Sequence, residues 1–243
     1  MRAESTRLFH TLEHPCGYFR ERIARNLVID PLAEPQRQIY DQALVRGFRR
    51  AGGHIYRPHC QGCQACLASR VPCNSVQLNR SQTRCWKRNG DLELRVCKAQ
   101  VCDEYLALYR HYLGTRHVGG GMDDPSEEDF SRFLLASWSD TRLLELRLHG
   151  KLLALAVTDV SPHGLSAVYT CFDPAYGKRG LGTYAILCQL ELARQWRLPH
   201  LYLGFWISGH PKMDYKRQFV PLEVLVNGTW QTSNSSGPRK NAG

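Results

Sequence analysis

Between residues 141 and 206 the chain writes out three strands, a glycine-rich loop, a helix and another strand in succession. Leu144, Leu146 and Leu148 alternate with Glu145, Arg147 and His149. That period of two predicts a strand with one face in the core and the other in water. Gly150-Lys151 is a tight turn, residues 152–160 form a more apolar central strand, Ser161-Pro162-His163-Gly164 is a second turn, and residues 165–172 form a third strand. Turns this short join antiparallel neighbours, so the three strands predict a meander. The loop over 173–182 then enters a helix from 183 to about 197, with Ile186, Leu190 and Ala193 as its apolar stripe. Residues 200–206 read as a further strand and 219–226 as another, followed by the hairpin-type turn Asn227-Gly228.

Helical periodicity lies upstream. Residues 36–48 space Tyr40, Ala43, Leu44, Gly47 and Phe48 on one face, and residues 103–113 do the same with Tyr105, Leu108, Tyr109, Tyr112 and Leu113. Residues 126–138 open on Ser126 as N-cap and carry Phe130, Phe133, Leu134 and Trp138. These aromatic stripes read as core. The expected fold is α+β: a mixed sheet with flanking helices over 101–230, a smaller cysteine-bearing N-terminal lobe over 1–100, and a disordered Ser/Asn/Gly-rich tail over 231–243. Its element order resembles that of the GCN5-related N-acetyltransferases. In those proteins the loop before the main helix holds the pyrophosphate of coenzyme A on backbone N–H groups and a helix N-terminus. The matching glycines here are Gly180 and Gly182, but the leading basic position falls on Gly177. The loop is therefore either a plain helix entry or a site adapted to a donor other than acyl-CoA.

Charge narrows the donor. The chain carries 32 Lys+Arg against 22 Asp+Glu, a net charge of +10, which suggests a polyanionic partner with nucleic acid first in line. Arg46, Arg49, Arg50 and Arg57 form one group, and Arg80, Arg84, Lys87, Arg88, Arg95 and Lys98 form a second. Such clusters fit phosphate contacts, which position a ligand without reading its sequence. No stretch is long and apolar enough to span a membrane, and no apolar segment follows the N-terminal charges. The expected location is therefore the cytoplasm, where the ten cysteines stay reduced.

The segments just read resemble the aminoacyl-tRNA–protein transferases, in particular the bacterial aspartate/glutamate leucyltransferases, relatives of the arginyl-tRNA–protein transferases. The resemblance is carried by Cys16-Gly17-Tyr18, Ala24-Arg25-Asn26-Leu27-Val28-Ile29-Asp30-Pro31, Gly47-Phe48-Arg49-Arg50 and Tyr56-Arg57-Pro58-His59-Cys60. It continues through Arg80-Ser81-Gln82, Arg88-Asn89, Arg116-His117, Phe172-Asp173-Pro174 and Gly182-Thr183-Tyr184. It closes on Tyr202-Leu203-Gly204-Phe205-Trp206 and Lys212-Met213-Asp214-Tyr215-Lys216. It implies an acetyltransferase-like fold and transfer of an aminoacyl group from charged tRNA to the α-amine of a protein beginning with Asp or Glu. The product, headed by Leu, is a signal for N-degron proteolysis. No side chain identifies a Leu pocket over an Arg pocket, so arginyl transfer remains open. So do an acyl-CoA N-acetyltransferase and a non-catalytic, metal-containing tRNA-binding module.

The reaction joins an α-amine, whose ordinary pKa of about 7.7–8.0 leaves a useful neutral fraction at pH 7, to an activated ester. Alignment, oxyanion stabilisation and a weak base are what it needs, with no cofactor required for the transfer itself. Asp173 is the candidate base, with turn capping as its alternative. Tyr169 and Thr170 are the candidate neighbours, with Tyr169 either an oxyanion donor or a core tyrosine, and Tyr202 and Trp206 face them. Arg25, Arg49, Arg57 and Lys216 are candidates for the acceptor carboxylate. Cys60, Cys63 and Cys66 recur at equal spacing. Wider relatives bind a metal or iron–sulfur cluster through four cysteines that include a Cys-Gly-Tyr-Cys element; here Phe19 replaces the second of that pair. Cys16, Cys60, Cys63 and Cys66 could still complete a four-sulfur set for zinc or an iron–sulfur cluster, or form a reduced or redox-sensing cluster.

Overall fold

The computed structural model describes residues 6–116 and 124–233. His117, and residues 234–243 of the expected tail, lie outside the described residues. In chain order the elements are β1 (Leu8–His10), β2 (His14–Pro15), β3 (Ile23–Ala24), β4 (Asn26–Ile29), α1 (Gln36–Val45), β5 (Arg49–Ala51), β6 (His54–Pro58) and β7 (Leu67–Pro72). Then follow α2 (Arg80–Arg88), β8 (Glu93–Lys98), α3 (Asp103–Arg116), α4 (Glu127–Leu134), β9 (Thr141–Leu148), β10 (Lys151–Ser161), β11 (Gly164–Phe172), α5 (Leu181–Gln195), β12 (His200–Trp206), β13 (Glu223–Val226) and β14 (Thr229–Thr232).

An eight-stranded sheet in the order β14-β13-β7-β12-β11-β10-β9-β8 forms the frame, so the fold is α+β with a large mixed sheet. β9, β10 and β11 form the expected antiparallel meander, and only β11 and β12 run parallel, across the α5 crossover. β7 and β8 come from the first hundred residues, so the large sheet extends to both sides of residue 100. A smaller sheet, β1-β4-β6-β5, lies beside it. One core cluster packs α5, through Leu181, Ala185 and Leu190, on Leu144, Leu153 and Leu165. A second packs α3 and α4, through Tyr109, Leu113, Phe130 and Leu134, on Leu143, Leu155 and Val157. β10 lies between them and is buried along nearly all its length. The β13–β14 hairpin closes on Asn227 and Gly228, both at positive φ (49° and 79°), the conformation a two-residue turn demands and these residue types tolerate.

Four local expectations shift. β9 is not half-solvated: Glu145 and Arg147 are buried with its leucines. Tyr105 donates to Glu145 at 2.5 Å, and Arg147 bridges Glu145 (2.7 Å) and Glu104 (2.6 Å). A hydrogen-bonded ionic network thus replaces water on the face that alternation assigns to solvent. α4 stops at Leu134, because Leu135 is already extended, and Trp138 packs on Tyr40 instead (ring centroids 5.3 Å apart). The strand expected over 219–226 begins only at Glu223, beyond Pro221, which has no N–H for a ladder. β14 takes in Gln231 and Thr232, the first residues of the expected tail.

Candidate active site

β11 and β12 are registered only at Leu165 with Leu201 and Ser166 with Tyr202, near their N-terminal ends. Beyond that point they separate, leaving strand carbonyls that a continuous ladder would have satisfied. Arg49 of β5 enters the fork. Its guanidinium donates to the Ala167 carbonyl at 2.5 Å and to the Tyr202 carbonyl at 3.2 Å. Its neighbour Arg50 points elsewhere and forms a fully buried bidentate pair with Asp159 of β10, at 2.6 and 2.7 Å. Two adjacent arginines of one short strand therefore fasten the small sheet to the large one.

Lys216 closes the site from the turn that follows β12. It is 4% exposed, donates from Nζ to the Phe205 carbonyl at 2.5 Å, and has no carboxylate in ion-pair reach among the described residues. Burial, reinforced by the positive charge of Arg49 and opposed by Cys66, brings its pKa down to about 7. Nζ also sits 5.3 Å from the Tyr215 ring centroid. Tyr18, Tyr56 and Tyr215 belong to the same cluster. Burial, with Tyr56, Cys66, Cys16 and Tyr215 adding to it, pushes Tyr18 up to about 12. Burial also raises Tyr56 and Tyr215, against the pull of Arg49. These hydroxyls stay protonated at neutral pH and can donate hydrogen bonds.

A cleft of about 400 Å³ adjoins this cluster and shares Cys66 and Phe205 with it. Arg22, Arg46 and Arg57 line it, together with Cys16, Cys60 and Cys63. Arg57 lies over the Phe48 ring (4.9 Å), touches only the Arg46 carbonyl with its fork (3.4 Å), and meets no carboxylate among the described residues. Thiol environments differ around the cleft. Cys63 is lowered by the Ala65 N–H and by Arg22, whose Nη1 donates to Sγ at 3.2 Å. Cys66 is pushed up to about 11 by burial and by the neighbouring Cys16, Cys60 and Cys63. The four sulfurs are gathered, yet among the described residues no three His, Cys, Asp or Glu side chains are grouped so as to hold one ion.

The other candidates are spread out. Asp173 caps the turn after β11, accepts from the Ala175 N–H (3.0 Å) and pairs with Lys151 (3.1 Å). Burial raises its pKa, but Lys151, that N–H and His111 outweigh it and leave the carboxyl below its ordinary value. A carboxylate so engaged is a poor proton acceptor. Tyr169 stacks edge-on against Tyr109 (5.8 Å) and Phe133 (5.8 Å), a core environment. Thr170 stands opposite Ala156 in the β10 ladder. Tyr202 packs on Trp230 (5.9 Å) near the paired end of the strands, and Trp206 donates to Asp214 at 3.0 Å. Arg25 is half-buried and donates to the His59 carbonyl at 3.4 Å. The structure thus brings Arg49, Lys216 and Cys66 together, with Arg57 in the adjoining cleft; Tyr202 meets Arg49 through its carbonyl while its ring packs on Trp230, and no hydrogen bond or ion pair among the described residues joins the Asp173 or Tyr169 side chain to this group. Sequence reasoning passed over Tyr18, Tyr56 and Tyr215. Each lies inside a stretch that carries the resemblance, but nothing in their spacing signals that three distant segments meet.

Comparison with known proteins bears on the whole chain. Residues 14–84 match the family model described as arginine-tRNA-protein transferase, N terminus, and residues 104–226 the one described as arginine-tRNA-protein transferase, C terminus. The aspartate/glutamate leucyltransferase of Stenotrophomonas maltophilia (strain K279a) is 54% identical over 235 residues, covering 94% of each chain. That of Hahella chejuensis is 48% identical over 224 residues, covering 92% of this chain and 96% of its own. Among solved structures, L-PGS from Bacillus licheniformis aligns with a TM-score of 0.46 at 12% identity, over 74% of this chain and 53% of that one. A likeness that weak carries no argument.

Proposed function

The chain belongs to the arginine-tRNA-protein transferase family, and from that premise we propose that it transfers leucine from Leu-tRNA to the α-amine of proteins that begin with Asp or Glu. The observation that carries the reading is the near full-length identity to leucyltransferases, 54% over 94% of both chains. The sheet supports it: meander, glycine-bearing loop, helix and a parallel strand that parts from its neighbour follow the acetyltransferase order, and Gly177 in place of the basic loop residue fits a donor without coenzyme A. The new N-terminal Leu would mark the protein for N-degron proteolysis in the cytoplasm.

In this reading the ester carbonyl of the tRNA 3′ end lies at the fork of β11 and β12. The neutral amine of the acceptor attacks it, the C–N bond forms, and the ester C–O bond breaks. Lys216, neutral in a large fraction of molecules near pH 7, takes the proton released by the amine and returns one to the departing ribose oxygen. Arg49 and the Tyr18, Tyr56 and Tyr215 hydroxyls are the donors for the oxyanion between those steps. Arg57 takes the acceptor's side-chain carboxylate, for which a guanidinium fork that meets no carboxylate among the described residues is suited. No step runs through the cysteines. Asp173 holds the loop after β11 and does not touch substrate.

The test offers an Asp-initiated peptide together with Leu-tRNA, Arg-tRNA or acetyl-CoA and weighs the product. A mass gain of one leucine, only with Leu-tRNA, is expected. An acetyl gain would replace the reading with an acyl-CoA enzyme, and an unchanged peptide would end it.

A further inference from the structure

Helix α2 carries a row of cations that the fold does not use. Arg80, Arg84 and Arg88 follow one another at i, i+4 and i+8, with Lys87 beside them, and all four side chains are exposed. The buried face of the same helix is Gln82 and Cys85. Among the described residues, no ion pair or side-chain hydrogen bond engages Arg80, Arg84 or Lys87. Arg88 spends one N–H on the Lys178 carbonyl at 2.5 Å. Elsewhere in the basic cluster Arg95 is neutralised by Glu93 (2.7 Å), and Asp91 is taken by Arg179 (2.7 Å).

This arrangement works against the helix. Like charges four residues apart repel, and the first turn holds Arg80 and no acidic residue at the end where the helix dipole disfavours a cation. Lys87 and Arg88 suit the last turn, where the dipole favours cations, but helix stability does not account for Arg80 and Arg84, whereas a bound polyanion would. Trp86, 37% accessible, is turned roughly 100° or more around the helix from this row and packs toward α5, with its ring centroid 5.4 Å from that of Tyr184. Cations one helical turn apart with no carboxylate partner among the described residues suit the repeating phosphates of a nucleic-acid backbone. A cavity of about 340 Å³ opens between α2 and the start of α5, lined by Ser81, Arg84, Arg88, Arg179, Gly180 and Thr183.

The position of the helix fits as well. Asn89 donates to the Arg179 carbonyl at 2.9 Å, so α2 is fastened to the loop between β11 and α5. That loop leaves β11 at its C-terminal end. β12 runs parallel and ends on the same side, where its following turn supplies Lys216. The cationic row thus flanks the end of the sheet that holds the fork.

We propose that the exposed face of α2 and the cavity beside it dock the phosphate backbone of the donor RNA and set its 3′ end at the fork of β11 and β12. The inference rests on the reading that the donor is an aminoacyl-tRNA. It assigns the phosphate contacts to Arg80, Arg84, Lys87 and Arg88.

The test is the triple variant Arg80→Gln/Arg84→Gln/Lys87→Gln, with Arg132→Gln on the exposed side of α4 as a control for general charge loss. Binding of uncharged tRNA is measured by fluorescence anisotropy across a salt series, and transfer to an Asp-initiated peptide is measured in parallel. The triple variant should keep its melting temperature, bind tRNA roughly tenfold or more weakly, and lose about two to three from the slope of log Kd against log salt. Its KM for Leu-tRNA should rise, with KM for the peptide unchanged and kcat recovered at saturating tRNA. Equal Kd and slope in the triple variant and the control overturn the assignment. A raised peptide KM with unchanged tRNA binding also overturns it and gives the surface to the acceptor protein. Wild-type protein that binds tRNA through these residues but transfers nothing would sink the transferase reading and leave the docking face standing.

Discussion

A lysine shut away from water, with no carboxylate in ion-pair reach among the described residues, is pushed toward its uncharged form by the fold. Lys216 has a depressed pKa, so the folded state binds fewer protons than the unfolded chain between pH 7 and the ordinary lysine value of about 10.4. Stability contributed through this group therefore rises with pH across that window and is lowest below it. Lys216→Met removes the linkage. The melting-temperature difference between wild type and variant should shift in favour of wild type as pH rises from 7 to about 10, and thermal melts in a pH series read this directly; a constant difference would place Lys216 in water. The same substitution should lower kcat by about 10²–10³, the usual contribution of a positioned proton acceptor, and Lys216→Arg should not restore it, because a guanidinium does not deprotonate. In wild type, kcat at saturating peptide should fall as pH drops through about 7, and that limb should vanish in Lys216→Met. Asp173→Asn is the counter-test. It should leave kcat within a few fold, since this carboxylate already serves Lys151 and the Ala175 N–H. Of the two readings the sequence allows for Asp173, base or turn cap, its hydrogen bonds are those of a cap. Asp173 is conspicuous beside a proline at the end of a strand, where the chain most often needs a cap, and a cap is what it is. Lys216 reads in the sequence as a cation for the acceptor carboxylate, and its burial, which sets its proton chemistry, becomes visible only in the fold.

Elements were legible where periodicity is strong and misread where polar groups are buried in pairs. The meander, α3, α5 and β12 follow from apolar spacing, because each presents one stripe or face to one core. The alternation in β9 is equally plain, yet its polar face is dry, since Glu104 and Tyr105 arrive from α3 to satisfy Glu145 and Arg147. Spacing within β9 holds no record of what α3 brings. β5 makes the same point in three residues: Arg49 and Arg50 read as a basic patch, but one holds the strand fork and the other a buried carboxylate. Arg50→Met should therefore destabilise by about 3–5 kcal/mol, because it strands Asp159 without its partner in a site that admits no water. Urea unfolding would show it as a lowered midpoint, and Arg50→Met/Asp159→Leu should recover a large part of the loss. If the single change costs less than about 1 kcal/mol, the pair is solvated and the fastening argument fails. Gly164 tests the turn between β10 and β11 in the same assay. A Cβ there would stand 2.1 Å from the His200 carbonyl oxygen at φ 141°, so Gly164→Ala should cost about 1–3 kcal/mol and loosen the start of β12.

At the scale of the molecule, the two stretches that match separate family models, 14–84 and 104–226, are not separable in space. β7 comes from the first stretch and lies between β12 and β13 of the second. Without it β12 would keep its short parallel contact with β11 and expose its other edge, and β13 would retain only β14. The first stretch also supplies Arg49 to the fork and Arg50 to Asp159, so a piece beginning at residue 101 would bury a carboxylate with no cation beside it. These contacts predict that the whole chain unfolds in one cooperative step, with circular dichroism and tryptophan fluorescence tracing coincident curves in urea. They also predict that residues 101–230 made alone are aggregation-prone through the unpaired edge and show no cooperative transition. Adding 1–100 as a second polypeptide should restore a transition only if β7 can re-enter the sheet, and Val71→Asp, at a fully buried strand position, should abolish that rescue. A sharp, independent unfolding transition in 101–230 would mean that the sheet closes without β7 and that the site at the fork is assembled from two autonomous units. Coincident curves for the whole chain with no transition for the piece would tie Arg49, Lys216 and Cys66 to a single folding event, because the strands that bring them together cannot form apart.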